Sequence, residues 1–142
     1  VSAAISVDAP NEYIEAIRQY ALAAGMAFQI KDDILDYVGD EKLGKPVGTD
    51  LKERKITLPL LGALHDSSDE SRIRSIVAGL DSHPSDCESV RQFVIDSGGL
   101  DYAVEKLEEQ IARAEKALQV LPEGRPRDYL VELVRFNSIR KV

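Results

Sequence analysis

Gln29-Ile30-Lys31-Asp32-Asp33-Ile34-Leu35-Asp36-Tyr37-Val38 decides how this chain is read. Three carboxylates stand inside an otherwise apolar, helix-like run. In a helix, Asp32 and Asp36 are four residues apart and Asp33 and Asp36 three, so they crowd one face and repel. Asp is also a mediocre helix former. Such a concentration calls for a cation. Oxygen donors, with no Cys or His nearby, point to a hard ion such as Mg²⁺. Downstream, Gly44-Lys45-Pro46-Val47-Gly48-Thr49-Asp50-Leu51-Lys52-Glu53-Arg54-Lys55 adds glycines and basic side chains. An acidic helix followed by a basic, glycine-rich loop has the groups that a Mg²⁺–diphosphate site needs.

Working outward, almost every segment reads as helix. The first long one opens near Asp8 and Pro10 and runs to Val38, with Ile14, Ile17, Ala21, Ala24 and Phe28 at helical spacing. Gly39 ends it, and residues 39–56 read as an irregular loop. Thr57 is the expected N-cap of a short apolar helix, Leu58 to Leu64, with Pro59 in its tolerant first turn. Helices follow near 69–80, from Ser85 (where Ser85 and Glu88 have capping-box spacing) to Gly98-Gly99, and from about 99 to 121. The last of these carries Leu100, Val104, Leu107, Ile111, Ala114 and Leu118 on one stripe. Pro122, Gly124 and Pro126 break it before a final helix with Tyr129, Leu130, Leu133, Val134 and Phe136. No segment alternates with period two. The expected fold class is all-α.

The 142 residues suffice for one domain with a sizeable core. No apolar run approaches the roughly 20 residues of a membrane helix. A net charge of −7 argues against a nucleic-acid surface. The single cysteine, Cys87, excludes an internal disulfide framework and fits a reducing compartment, so the expected location is cytoplasmic. Its acidic neighbours Asp86 and Glu88 disfavour thiolate, which makes it a bystander. The opening residues Val1 to Ser6 lack the basic flank of a signal peptide and read as the tail of an earlier helix, as if the chain were cut from something longer.

A pair of acids on a helix is more often a solvated face than a site. Here Ile30, Ile34, Leu35 and Val38 surround the acids, so the expected helix is largely buried and its carboxylates open into a cleft, where buried charge needs partners or a metal. Lys45 and Lys55 are suited to neutralising diphosphate as point charges, and Gly44 and Gly48 allow close backbone approach to anionic oxygen. Lys52 and Arg54 are weaker candidates. Asp50, bracketed by basic residues, is expected to orient a lysine. Gln29, one turn before Asp32 and Asp33, is placed to hydrogen-bond diphosphate or a metal-bound water. His65 and His83 are isolated in polar turns, and no zinc, EF-hand, P-loop, Gly-x-Gly-x-x-Gly or Gly-x-Ser-x-Gly pattern is present.

The run Gly25 to Asp36, then Leu43 to Asp50, then Lys55-Ile56-Thr57-Leu58-Pro59-Leu60, resembles the trans-prenyl diphosphate synthases, at their second aspartate-rich motif and the segment after it. The resemblance is well marked over 21–64 and looser beyond. It implies an isoprenoid-synthase-type helical bundle that condenses isopentenyl diphosphate with an allylic diphosphate to make a linear polyprenyl diphosphate. It further implies Mg²⁺ held by Asp32 directly and by Asp33 and Asp36 through waters. Lys45 and Lys55 would hold the allylic diphosphate, Gln29 would line the same site and Phe28 would lie beside isopentenyl diphosphate. Arg140 and Lys141 would form a basic tail closing over that substrate. A homodimer is also implied.

The family's first aspartate-rich motif and its upstream isopentenyl-binding segment are not found in these 142 residues. The chain is therefore expected to be the C-terminal portion of one synthase domain, without the N-terminal half and inactive alone. Its helices around 11–38 and 57–64 would then turn Ile30, Ile34, Leu35, Leu60, Leu61 and Leu64 towards helices that it lacks. The alternatives are a non-catalytic regulatory subunit of a heteromeric prenyl synthase, and a structural helical domain with a fortuitous acidic patch.

Overall fold

In a computed structural model, residues 1–38, 48–65, 67–80 and 82–138 are described. They form helices α1 (Ser2–Ser6), α2 (Asn11–Val38), α3 (Thr49–Lys52), α4 (Leu58–Leu64), α5 (Glu70–Ala78), α6 (Asp86–Asp96), α7 (Gly99–Leu118) and α8 (Arg125–Arg135), with no strand among the described residues. The all-α expectation holds. No helix among the described residues is long and apolar enough to cross a membrane. The loop expected over 39–56 contains the short α3. The capping box expected at Ser85 is not formed: Ser85 makes no side-chain cap bond, and Glu88 pairs with Arg91 at 2.9 Å.

The chain divides into two compact units. The first comprises residues 1–31 and 106–142. Here α2 buries Ala16, Tyr20, Ala23, Ala27 and Ile30, and α7 buries Leu107, Ile111, Ala114 and Leu118. The steps of three and four are those of a helix face. The buried face of α2 is not the one read from Ile14, Ile17, Ala21, Ala24 and Phe28: Ala21 and Phe28 are exposed. Because α2 is apolar on more than one side, its sequence admits two phases. Tertiary packing selects the one rich in alanine. Tyr20 Oη donates to the Leu130 carbonyl at 2.8 Å, and Lys31 Nζ donates to the Phe136 carbonyl at 2.7 Å while lying over that ring.

The second unit, residues 32–105, contains the C-terminal end of α2, helices α3 to α6 and the start of α7. Its core joins Tyr37, Leu51, Leu60, Ala63, Leu64, Ile73, Val77, Cys87, Val90 and Val94. Helices α3, α4 and α5 all pack on α6. Of the residues expected to face absent helices, Ile30, Ile34, Leu60 and Leu64 are instead buried within this chain and Leu35 is half-buried. Leu61 is exposed, as are Leu22, Met26 and Phe28 on α2. Helices α2 and α4 thus bury one apolar face within the chain and leave other apolar side chains open.

Gly99 lets the start of α7 lie against α4. A Cβ there would run into the Pro59 carbonyl and approach Ala63 Cβ to 2.9 Å and Val94 Cγ1 to 3.0 Å. Backbone carbonyl and fully buried side chains have no room to yield. Gly99→Ala is therefore expected to destabilise the chain by about 1–3 kcal/mol, the range for overpacking, read as a lower midpoint in urea unfolding.

Candidate metal and diphosphate site

The sequence-predicted acids are placed by backbone donors. Gly48 precedes α3 with φ +76°, a conformation that favours glycine, and α3 has no side-chain cap of its own. Asp36 on α2 supplies one: its Oδ1 accepts the Thr49 amide at 3.0 Å and its Oδ2 the Asp50 amide at 3.1 Å. The Asp36 carbonyl also accepts the Gly48 amide at 2.8 Å. Asp33 does the same for α4. Thr57 stands at the expected N-cap position but makes no side-chain cap bond. The Leu58 amide instead donates to Asp33 Oδ2 at 3.3 Å. Carboxylates at helix N-termini satisfy orphan donors and meet the positive end of the helix dipole.

The electrostatics show what this arrangement costs. Burial pushes the Asp33 carboxyl above the usual range; the Leu58 amide opposes the rise, and the charges of Asp50, Asp32 and Asp36 reinforce it. Asp36 is raised in the same way, by burial first, with the Asp50 and Thr49 amides opposing. Next to them, burial pushes the Tyr37 phenol up to about 12. The Thr57 hydroxyl is close enough to act on that phenol, yet the two do not meet in hydrogen-bond geometry, and both oxygens are buried without a partner. Asp32, on the same helix, is exposed.

Lys55 is positioned by the end of α3. The Arg54 amide bonds the Leu51 carbonyl and the Lys55 amide the Asp50 carbonyl, with Arg54 at φ +58°. This is a Schellman turn with arginine in the place that glycine usually takes. It folds Lys55 back onto Asp50, 3.0 Å from Nζ, and Glu53, 2.7 Å away. Asp50 thus orients a lysine, as expected. Glu53 and then Asp50 hold the Lys55 ammonium above its ordinary range.

Asp32, Asp33, Asp36 and Lys55 are therefore gathered in the second unit. Phe28 and Gln29 lie one turn earlier on α2, both exposed. Lys45, Arg140 and Lys141 lie outside the described residues. Among the described residues, no three acidic, histidine or cysteine side chains converge as a ready metal cage. The reason is visible: Asp33 and Asp36 turn towards two different helix N-termini. The donor set still fits a hard divalent ion, since it is all oxygen, over-rich in negative charge, and each carboxylate keeps unused lone pairs. Mg²⁺ ordinarily takes only one or two protein carboxylates, with water and phosphate oxygens completing its shell.

Two features escaped the sequence. Thr49-Asp50 after a glycine is a helix-start signal that could have revealed α3. Arg91, whose Nε donates to the Tyr37 carbonyl at 2.8 Å, lies 54 residues away in sequence and carries no local signal.

Comparison with known proteins bears on the family and the fold. A family model described as polyprenyl synthetase matches residues 1–94. An all-trans-nonaprenyl-diphosphate synthase (geranyl-diphosphate specific) from Rhodobacter capsulatus is 45% identical over 128 residues, 87% of this chain and 38% of that protein. The octaprenyl diphosphate synthase of Escherichia coli is 40% identical over 123 residues, 84% of this chain and 38% of that protein. Among solved structures, a Caulobacter crescentus polyprenyl synthase complexed with calcium and isoprenyl diphosphate superposes with a TM-score of 0.79 at 34% identity, covering 94% of this chain and 42% of that one. The apo form of an Arabidopsis medium/long-chain length prenyl pyrophosphate synthase gives 0.83 at 28% identity, covering 94% and 46%. The chain thus spans about two fifths of the length of these relatives. With its isoprenoid-synthase-type helices, its paired aspartates and a family match over most of its length, the chain belongs to the polyprenyl synthetase family.

Proposed function

We propose that this chain supplies the C-terminal, second-motif portion of a Mg²⁺-dependent trans-prenyltransferase, which joins isopentenyl diphosphate to an allylic diphosphate and makes a linear polyprenyl diphosphate. The observation that carries the reading is the pinning of Asp33 and Asp36 on the N-termini of α4 and α3, inside a cluster whose negative charge is under-compensated. Asp32 is the direct metal ligand in this reading. Asp33 and Asp36, with oxygens already committed to amides, act through metal-bound waters. Bound Mg²⁺ would neutralise the diphosphate leaving group, where charge develops in the transition state.

The remaining roles belong to the chain's own side chains. Lys55 exchanges Glu53 for a diphosphate oxygen, keeping Asp50 as its orienting partner. By resemblance to the family, Lys45 and Gln29 are assigned to the same anion and Phe28 to isopentenyl diphosphate. Arg140 and Lys141 are assigned to isopentenyl diphosphate by resemblance to the family alone. The first aspartate-rich motif, the other half of the metal clamp in this reading, is not found among these 142 residues, and the apolar side chains that α2 leaves open on more than one face, Leu22 and Met26 on one and Phe28 on another, suit packing in a larger homodimeric bundle. Lone, buried Cys87 is in keeping with work in the reducing cytoplasm. The names of the relatives favour a synthase over a regulatory subunit.

Calorimetric titration with pyrophosphate tests the reading. Binding is expected in the presence of Mg²⁺ and not in its absence, because the carboxylates repel the anion unless a divalent ion bridges them. Asp32→Ala should remove the Mg²⁺-dependent part, while Lys52→Ala, an exposed charge screened by salt, changes it by no more than about twofold. Equal binding with and without Mg²⁺ would refute the proposal.

Stability should move opposite to metal binding. A carboxyl raised in the folded state contributes stability that is present at low pH and lost as pH rises through its folded value. Asp36→Asn keeps an acceptor for α3 and removes the charge. At pH 7 without metal it is expected to raise the unfolding temperature while weakening Mg²⁺-dependent binding, and the thermal gain should shrink as pH falls into the carboxylate range. A lower unfolding temperature at pH 7 would show that both Asp36 oxygens are needed structurally.

A further inference from the structure

The acids on α2 sit at the wrong end of their helix. Asp32, Asp33 and Asp36 fall in its last two turns, where the dipole is negative and the final carbonyls have no intrahelical partner. Both effects favour unwinding of that turn. Among the described residues, two contacts to these carbonyls oppose it. The Asp36 carbonyl takes the Gly48 amide, and the Tyr37 carbonyl takes Arg91 Nε at 2.8 Å. Arg91 comes from α6, on which α3, α4 and α5 all pack. Its Nη1 is held at the same time by Glu88, 2.9 Å away, and its side chain is only 23% exposed. The guanidinium is thus fixed at two points, and a cation is set against the negative end of α2.

We propose that Arg91 is a positioning residue for the aspartate cluster. It locks the last turn of α2, keeps Asp36 on the α3 amides, and so presents the carboxylates to a divalent cation in one geometry. The inference rests on the reading of Asp32, Asp33 and Asp36 as the metal-holding acids. Arg91 is assigned no contact with substrate or metal. Its action runs through the Tyr37 carbonyl, one peptide bond from Asp36. Tyr37 is fully buried in the core, so the turn has a fixed point on its side-chain face and needs one on its carbonyl face.

The test uses the whole chain with Arg91→Met, which keeps an unbranched stem and removes charge and donors, and Arg91→Lys, which keeps the charge and one donor group. Two readouts are taken. The first, without metal, is amide hydrogen exchange at Gly48, Thr49 and Asp50. Arg91→Met is expected to accelerate it, while protection at Leu107 and Ile111 stays as in the wild type. The second is Mn²⁺ affinity in the presence of pyrophosphate, followed by electron paramagnetic resonance. Arg91→Met is expected to weaken it about 3–10-fold, less than the 10–100-fold that follows loss of a partner bonded directly to a metal ligand, with Arg91→Lys restoring part of the loss. Should Arg91→Met fail to fold, Arg91→Lys carries the test, with a smaller change in the same direction at Gly48 to Asp50. Wild-type exchange at those amides in the folded variant would overturn the proposal. A wild-type chain that binds no Mn²⁺ would instead overturn the metal reading, while the exchange data still decide the role of Arg91.

Discussion

The bond between the Asp36 carboxylate and the amides of Thr49 and Asp50 is the constraint on which the site depends. The helix α3 has four residues, far too few to be stable alone, and no cap of its own. Asp36 joins its start to the end of α2. Once α3 is in place, Leu51 enters the core fully buried, and the turn that ends the helix brings Lys55 onto Asp50. Asp33 repeats the arrangement at α4. Each acid thus does two opposed things: it organises a helix N-terminus, which favours its charge, and it sits half-buried among other acids, which does not.

That opposition links fold to function. The amide donors pull the carboxyls of Asp33 and Asp36 down, yet burial and the neighbouring acids leave both raised. A cluster fully satisfied by amides and cations would have no call for a further positive charge. One left under-compensated, with Lys55 turned to Glu53 and Asp50, is what the proposed binding of a divalent ion and then an anion requires. Contacts away from the carboxylates tie down the same turn, Arg91 on the Tyr37 carbonyl and the Gly48 amide on the Asp36 carbonyl.

The family membership and the apolar stripes agree on a physical point. The chain spans about two fifths of its relatives, and α2 buries one face on its own partners while Leu22, Met26 and Phe28 stay open. Leu22 and Met26, one turn apart, share one open face, and Phe28 opens on another; apolar side chains left open on more than one face are the mark of a helix that other structure covers. That Ile30, Ile34, Leu60 and Leu64 are buried locally means that each unit still has a core of its own.

By itself the sequence determined the longer helices, though not the four-residue α3, because apolar residues at steps of three and four, with glycine and proline between segments, leave little choice of period. It also determined the acid cluster, whose spacing on α2 is a local property, and the family, because Asp32 to Asp36 and Lys55 to Leu60 are contiguous motifs. Tertiary structure alone decided three things. The face that α2 buries was ambiguous, since two of its sides are apolar and only packing breaks the tie. The direction of Asp33 and Asp36 was hidden, because their partners are backbone amides and every residue but proline has one. Arg91 was invisible for a related reason: nothing local to residue 91 records that a carbonyl 54 residues earlier in the chain lacks a donor.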